Sequence, residues 1–250
     1  MTRRIDLNAD LGEGMGDDAA MLELVTSANV ACGGHAGDVE SMTATVRLAV
    51  ANGVCIGAHP GYEDKVDFGR RIIPMEPAEI SRMVAGQIGA LVEVAAAEGA
   101  AVRYVKVHGA LANLAARDRD VANAVTEAIG AVDATLAVLA ISGTEIERVA
   151  RDAGLQAVSE IFADRGYTPD GQLVPRDEPG AIIHDAHEAA GRLLGFLETG
   201  AMPSVAGDAV PLDAQSICVH GDTPGAVAMA QIIRDRLTGA GVRVEPFLSP

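Results

Sequence analysis

Residues 5–14 read IDLNADLGEG, and polar and apolar side chains alternate through the first seven of them. In a β-strand this period of two places Asp6, Asn8 and Asp10 on one face and four apolar side chains on the other. The apolar face suits packing against helices. The polar face must then point into an interior, where carboxylates need a cation or good hydrogen-bond donors. Asp and Asn are also common in turns, but their depletion in strands favours a functional role for this one.

Six further β-rich runs follow, separated by longer helical patterns. They are ANVACG (28–33), VCIGAHP (54–60), RYVKVHG (103–109), LAVLAIS (136–142), QAVSEIF (156–162) and SICVHGD (216–222). Strands that alternate with helices indicate parallel βα units. Nearly every run ends in polar residues, which favours a barrel over an open sheet because a barrel gathers its strand ends around one site. We therefore predict an α/β fold, a single-domain distorted seven-stranded (β/α) barrel over residues 1–250.

Capping and stop residues delimit five predicted helices. These helices run from Asp38 to Gly53, from about Pro77 to Glu98, from a Ser142–Glu145 capping box through residue 154, from Asp185 onward, and through residues 225–237. No low-complexity linker and no internal repeat divides the chain, which favours one domain.

Composition and charge argue against several classes of protein. The formal net charge of -16 disfavours a nucleic-acid ligand, which normally requires a basic face. No apolar run approaches the roughly 20 residues that span a bilayer. The start, MTRRIDLNAD, lacks the apolar stretch of a signal peptide, so we expect a cytoplasmic protein without membrane contact. The three cysteines have no paired spacing, so we expect reduced thiols and no disulfide.

A lysine and a histidine share one face of the run YVKVHGALAN, residues 104–113. The period of two directs both Lys106 and His108 towards the interior. Desolvation can make a buried lysine an acid, a base or an anion anchor. The alternative interpretation is a structural ion pair between Lys106 and an inward carboxylate.

Histidines recur at the ends of the predicted strands, as His35, His59, His108 and His220. One histidine in such a place is more often structural, but four favour a shared site at the rim. His184 and His187 are interpreted as surface residues, because no third ligand lies near them in the sequence. Cys32 is interpreted as a packing residue, with a nucleophile beside His35 as the alternative.

The residues alone indicate a hydrolase or lyase that uses carboxylates and histidines at a barrel mouth. Asp10, His35 and His59 offer an oxygen and nitrogen ligand set suited to one divalent zinc, manganese or iron ion. The chain has no phosphate-binding loop of the G-x-x-x-x-G-K-[ST] type and no dinucleotide fingerprint after its first strand. Any nucleotide would therefore bind in another way.

Several blocks of the sequence resemble the LamB/YcsF family. They are DLNADLGEG, ANVACGGHAGD, GAHPGYED with FGRR, KVHGAL, EIFADRGY with LVPR, and ICVHGDTPGAV, in order from Asp6 to about Val227. The resemblance implies a barrel related to polysaccharide deacetylases and glycoside hydrolases, and ATP-dependent opening of 5-oxoproline to L-glutamate. It also implies ATP with Mg²⁺ as cofactor and separate B and C subunits as partners. Val107 and Ala112 replace a proline and a tyrosine of the family pattern, so contacts of that tyrosine ring are expected to be missing.

The resemblance and the chemistry of amide hydrolysis together suggest roles for the rim residues. Lys106 and Arg165 would bind carboxylate or phosphoryl oxygens, and His108 or Glu160 would pass a proton to the leaving nitrogen. The predicted catalytic residues are Asp6, Lys106, His108 and Glu160. The predicted substrate-binding and phosphate-binding residues are Asn8, Glu13, Arg70, Asp164, Arg165, Arg176, His220 and Asp222. The predicted metal ligands are Asp10, His35 and His59.

Two other functions stay open at this point. One is a stand-alone metal-dependent amidase or deacetylase, and the other is a non-catalytic subunit that binds the lactam. The sequence does not fix the number of copies that assemble, and a homo-oligomer is compatible with it.

Overall fold

A computed structural model of the chain describes residues 3–220 and 225–250. Seven parallel strands close into a barrel, and helices pack around it. The strands up to the closing one are β1 (Arg4–Leu11), β2 (Ser27–Ala31), β3 (Cys55–His59), β4 (Val102–Val105), β5 (Ala137–Ile141), β6 (Ala157–Phe162), the hairpin strands β7 (Ala201–Pro203) and β8 (Ala209–Pro211), and β9 (Ser216–Cys218). All seven predicted barrel strands are confirmed, as is the fold class.

The first strand closes the barrel. It pairs in parallel with β2 and with β9, so that Asp10 lies opposite Asn29 and Asp6 opposite Ser216. A further short strand, β10 (Arg243–Val244), adds to the start of β1 outside the closed ring. Asp6, Asn8 and Asp10 are all buried, as the alternation in this strand predicts.

Helices connect the strands along the outside of the barrel. They are α1 (Asp18–Leu22), α2 (Val39–Asn52), α3 (Pro77–Ala97), α4 (Gly109–Ala115), α5 (Arg119–Val132), α6 (Glu145–Asp152), α7 (Ala186–Thr199) and α8 (Ala226–Gly239). The Asp38 carboxylate accepts a hydrogen bond from the Ser41 amide at the start of α2, and Gly53 ends that helix in a left-handed conformation. Asp185 caps α7 in the same way, through the Glu188 amide. These caps are confirmed.

The capping box predicted at Ser142 and Glu145 is wrong. The chain turns at Gly143, which has φ 77°, and Thr144 is the N-cap of α6. The carboxylate that returns to the turn belongs to Glu147, which accepts a hydrogen bond from the Gly143 amide at 2.8 Å. The Ser142 hydroxyl accepts from the Asp213 amide instead, so it supports the entry of the chain into β9.

Helix α3 is long and apolar enough to cross a membrane by length and composition alone. In the barrel it packs against α5 and α2 and covers β3 and β4. Its stripe of Ile80, Val84, Ile88 and Leu91 is fully buried. Its apolar character is therefore accounted for by contacts within the protein.

The N-terminal end of the barrel is filled by aromatic and aliphatic side chains. The Tyr104 ring lies inside the barrel, where its hydroxyl donates a hydrogen bond to Asn29 at 2.7 Å. The C-terminal segment crosses beneath it, and Phe247 contacts the Tyr104 ring edge-on at 4.9 Å between ring centroids. Leu248 packs against the same cluster. The cavity described below therefore opens at the opposite end of the barrel.

The Tyr104 ring fits only because residue 57 lacks a side chain. A Cβ atom at Gly57 would lie 2.2 Å from the Tyr104 ring, far inside van der Waals contact. Gly57→Ala is expected to lower the free energy of unfolding by about 1–3 kcal/mol, as overpacking of a core does. Urea denaturation followed by circular dichroism measures this loss.

The matched control is Gly86→Ala, in the middle of α3, where an added Cβ meets no atom of the described residues within 4 Å. This substitution is expected to raise the free energy of unfolding by about 0.5–1 kcal/mol, because alanine is the better helix former. Equal effects at the two glycines would contradict the packing described for Tyr104.

Candidate active site

A cavity of about 370 Å³ opens at the C-terminal ends of the barrel strands. Residues from the strand ends and from the loops after them form its wall. Among the predicted site residues, the lining includes Asp10, Glu13, His59, Arg70, Lys106, His108, Glu160, Arg165, Arg176 and His220. The structure therefore brings most of the predicted rim residues together around one cavity.

Lys106 occupies the floor of this cavity. Its ammonium group donates to Asp10 Oδ1 at 2.9 Å and lies 3.3 Å from Glu160 Oε2. Cys218 Sγ at 3.0 Å and Asn8 Oδ1 at 3.3 Å complete its surroundings. Burial alone would lower the pKa of Lys106, but Asp10 and Glu160 raise it well above its ordinary range. The lysine is thus a fixed positive charge and not a base.

The two carboxylates beside Lys106 differ in protonation. Burial raises the pKa of Glu160 above its usual value, and Lys106 opposes the rise only in part. For Asp10, burial also acts to raise the pKa, but His59 and Lys106 hold it well below its usual range. Glu160 therefore retains a proton to higher pH than Asp10, which suits it to donate one.

Three histidines and a glutamate form a compact cluster on one side of the cavity. One ligand atom from each of Glu13, His35, His59 and His108 lies within 4.8 Å of the others. The His35 and His108 rings stack at 3.5 Å between centroids. Burial, together with His59, lowers the pKa of His108 to about 3, and burial with its histidine neighbours lowers the pKa of His35 as well. The predicted ligands His35 and His59 belong to this cluster, and Asp10 Oδ2 lies 3.4 Å from His59 Nε2.

A histidine and an aspartate form a pair on the β9 side of the cavity. His220 Nδ1 lies 2.9 Å from both Asp164 carboxylate oxygens, so it carries the hydrogen and donates it. Burial would raise the pKa of Asp164, but His220 lowers it below its usual value. His220 lines the cavity, and Asp164 orients its ring as the carboxylate does in histidine general bases.

Three arginines give the cavity a positive wall. Arg165 is buried, and its guanidinium donates to the Val174 and Ala181 carbonyls at 2.6 and 3.0 Å. Burial and the neighbouring Arg176 lower the pKa of Arg165 to about 10. Arg70 also raises the positive potential at Arg165 and lies nearer the solvent. An anion between these guanidinium groups would relieve their mutual repulsion.

Some predicted residues lie outside the cavity wall. Asp6 lies deeper in the barrel, where it accepts hydrogen bonds from Thr26, Ser27 and Ser216. Burial raises its pKa to about 6, and these hydroxyls oppose the rise. The structure does not bring Asp6 to the cavity, contrary to the catalytic role predicted for it, because it belongs to a lower layer of the barrel.

Other predicted residues act through neighbours, and one is not described. Asn8 donates to Ser216 at 2.7 Å and to Glu160 at 3.3 Å, so it positions Glu160 from below. Asp222 lies outside the described residues. His184 and His187 are exposed, as predicted from their spacing. Burial raises the pKa of the Cys32 thiol to about 12, which removes the nucleophile alternative.

Sequence reasoning missed Phe68, although it stands in the quoted block FGRR. Its backbone is left-handed at φ 55°, and its carbonyl accepts a hydrogen bond from His108 Nε2 at 2.9 Å. The ring contacts His35 and His108 edge-on at 5.4 Å, and the Arg70 guanidinium lies over it. The signal was the position of an aromatic residue before Gly69 in a loop of charged residues.

Comparison with known proteins agrees with this site and fold. A family model described as the LamB/YcsF family matches residues 5–250. The chain belongs to the LamB/YcsF family. A protein of Paracidovorax citrulli (strain AAC00-1), named as the A subunit of 5-oxoprolinase, is 52% identical to this LamB/YcsF chain over 248 residues, which cover 97% of the chain and 99% of that protein.

Solved structures support the same conclusion for this LamB/YcsF barrel. The crystal structure of a lactam utilization protein from Thermus thermophilus superposes with a TM-score of 0.92 at 43% identity, covering 98% of the chain and 100% of that protein. A structure described as T48 deacetylase with substrate superposes with a TM-score of 0.50 at 12% identity, covering 97% and 87%. The second likeness shows that the fold is of the deacetylase type, as predicted.

Proposed function

We propose that this chain is the A subunit of a 5-oxoprolinase, which opens 5-oxo-L-proline to L-glutamate. The observation that carries the proposal is the full-length identity, at about half the residues, with the Paracidovorax citrulli protein named as that subunit. The cavity supports it, since its volume lies in the range of roughly 300–1,000 Å³ typical of small-molecule sites. Its wall combines proton donors, proton acceptors and anion-binding groups.

The anionic part of the substrate fits the arginine wall. The carboxylate of 5-oxoproline, or a phosphoryl group added to its amide oxygen, would lie between Arg165 and Arg176. The Arg165 guanidinium is held by the Val174 and Ala181 carbonyls, so little entropy is lost when it binds an anion. Lys106 at the floor adds a fixed positive charge near the oxygen on which negative charge develops.

The proton transfers fall to two groups on opposite sides. His220 acts as the general base towards the attacking water, because its Nδ1 proton is bound by Asp164 and its other nitrogen is left to accept. Glu160 acts as the general acid that protonates the leaving nitrogen, since burial keeps it protonated to higher pH. His108 is disfavoured in this role because both of its ring nitrogens are engaged with Phe68 and His59.

ATP with Mg²⁺ supplies the activation that a stable lactam amide requires. In this proposal, phosphorylation of the amide oxygen turns it into a better leaving group for hydrolysis, and separate B and C subunits take part in that step. The naming of the relatives as one lettered component of an enzyme supports a multisubunit assembly. The three buried free thiols, Cys32, Cys55 and Cys218, fit a reducing cytoplasmic location.

The test is glutamate release from 5-oxo-L-proline by the purified chain, alone and mixed with candidate B and C subunits. Each mixture is assayed with and without ATP and Mg²⁺, and with and without a metal chelator. Glutamate is expected only with ATP and all three proteins. The control substrate is 2-pyrrolidinone, which lacks the carboxylate and is expected to react poorly because the arginine wall has no anion to bind.

The other outcomes distinguish the alternative functions. Glutamate from the chain alone, without ATP and abolished by the chelator, would identify a stand-alone metal-dependent amidase. Full turnover by complexes carrying Glu160→Gln or His220→Gln would identify a lactam-binding subunit. No glutamate from a folded and assembled complex would overturn the substrate assignment.

A further inference from the structure

The histidine cluster beside the cavity has a hydrogen-bond pattern that leaves two ring nitrogens without a proton. His59 Nδ1 lies 2.7 Å from the Lys106 carbonyl, and His108 Nε2 lies 2.9 Å from the Phe68 carbonyl. A carbonyl oxygen only accepts hydrogen bonds, so both of these nitrogens carry the hydrogen of their neutral rings. The opposite nitrogens, His59 Nε2 and His108 Nδ1, therefore present lone pairs.

These two lone pairs face each other. His59 Nε2 and His108 Nδ1 are 3.0 Å apart, a distance at which two acceptors repel each other unless a positive charge lies between them. Carboxylates surround the same point. Glu13 Oε1 lies 3.6 Å from His108 Nδ1 and 3.9 Å from His59 Nε2, and Asp10 Oδ2 lies 3.4 Å from His59 Nε2.

We propose that His59 Nε2, His108 Nδ1 and the Glu13 carboxylate bind one divalent transition-metal ion at the edge of the cavity. Separations of 3.0, 3.6 and 3.9 Å are compatible with ligands on one ion bonded at roughly 2.0–2.2 Å after small shifts. Two imidazoles and a carboxylate suit zinc, manganese or iron. Asp10 adds a second negative charge, which favours a doubly charged ion over a single shared proton.

The groups around these three residues match the outer shell of a metal site. Each ligating histidine donates its other N–H group to a backbone carbonyl, which fixes the ring and its tautomer. His35 Nε2 lies 2.9 Å from Glu13 Oε1 and so orients the carboxylate. His35 is buried, and among the described residues its Nδ1 has no hydrogen-bond partner.

The proposed ion would be accessible to a small molecule. Glu13, His59 and His108 all line the cavity, so a position on the ion opposite the protein ligands faces the substrate space. An open position of this kind is typical of catalytic metal sites, whereas structural zinc sites are closed by four protein ligands. Metal binding here does not depend on the proposed lactam chemistry, so either can fail alone.

The experiment measures metal content and affinity of the full-length chain. Chelator-treated protein is titrated with Zn²⁺, and in parallel with Mn²⁺, and bound metal is measured by elemental analysis and calorimetry. We expect about one equivalent per chain in the parent protein and less than about a tenth in Glu13→Gln and His108→Gln at the same free metal. His35→Ala is expected to keep one equivalent with roughly 10–100-fold weaker affinity, because it only orients Glu13.

Two controls keep the result interpretable. The double variant His184→Gln and His187→Gln removes exposed histidines of α7 and its approach, and its metal content is expected to match the parent. Because a variant in a buried cluster can lose its fold, circular dichroism and Tm are measured without metal for each one. Cobalt(II) gives a second readout, with visible bands in the parent that are absent from folded Glu13→Gln and lack thiolate charge transfer.

Two results would overturn the proposal. One is a parent protein that retains less than about a tenth of an equivalent of either metal, which would mean that a shared proton occupies the gap between the histidines. The other is folded Glu13→Gln and His108→Gln protein that binds as much metal as the parent, which would place the ion elsewhere.

Discussion

Lys106→Met is expected to lower the free energy of unfolding by about 3–5 kcal/mol, the range measured when one partner of a buried ion pair is removed. Methionine keeps most of the length of the side chain but leaves Asp10 and Glu160 without their cation. Their carboxylate oxygens lie 2.9 and 3.3 Å from the Lys106 ammonium group in a buried site. Urea denaturation at pH 7 measures the loss.

A double-mutant cycle separates the ion pair from simple loss of packing. In the Lys106→Met background, Asp10→Asn is expected to recover about 0.5–3 kcal/mol, because it removes a buried charge that no longer has a partner. The amide oxygen of the new side chain would still accept the hydrogen bond from Asn29. Lys65→Met, at an exposed lysine, is the matched control and is expected to change stability little. Additive effects of Lys106→Met and Asp10→Asn would contradict a coupled pair.

Glu160→Gln is expected to lower kcat of the assembled, ATP-supplied enzyme by roughly 10²–10⁴-fold, the usual effect of removing a general acid. Glutamine keeps the shape of the side chain and its hydrogen bond to Asn8 or Lys106, but it has no proton to transfer. Steady-state kinetics on 5-oxo-L-proline measures the change, and KM should move far less than kcat because the arginine wall is intact.

The pH profile distinguishes an acid from a merely structural residue. Burial raises the pKa of Glu160, so the carboxyl holds its proton at low pH and loses it as pH rises through that value. The parent enzyme should therefore lose activity on the alkaline side through this group, and the remaining activity of Glu160→Gln should lack that limb. Glu145→Gln, whose carboxylate pairs with Arg148 outside the cavity, serves as the control. An unchanged alkaline limb in Glu160→Gln would assign the proton to another group.

The strands and the rim were predictable because they depend on local periodicity. The alternation in β1 required a polar interior, and the residues that follow the strands necessarily meet at one end of a parallel barrel. The helix cap at Asp38 was equally local. The cap at Ser142 failed because a left-handed turn at Gly143 shifted the helix start, and the S-x-x-E spacing carries no information about that turn.

The pairings within the site could not be predicted in the same way. His220 meets Asp164, 56 residues earlier, only because β6 and β9 are neighbours in the closed barrel. The lone pairs of His59 and His108 depend on the carbonyls of Lys106 and Phe68, which are backbone groups that exist in any sequence. Glu13 joins the cluster through a glycine-rich loop whose path has no periodic pattern.

The packing of Tyr104 against Phe247 and Leu248 has a consequence for turnover. Because these side chains fill the N-terminal end of the barrel, the described part of the chain leaves the cavity open only at the opposite end. If 5-oxoproline is the substrate, glutamate must leave by the route through which the lactam arrived, and the two would exclude each other. Glutamate should then be a competitive product inhibitor, and a partner protein seated over that entrance would set the timing of both arrival and departure.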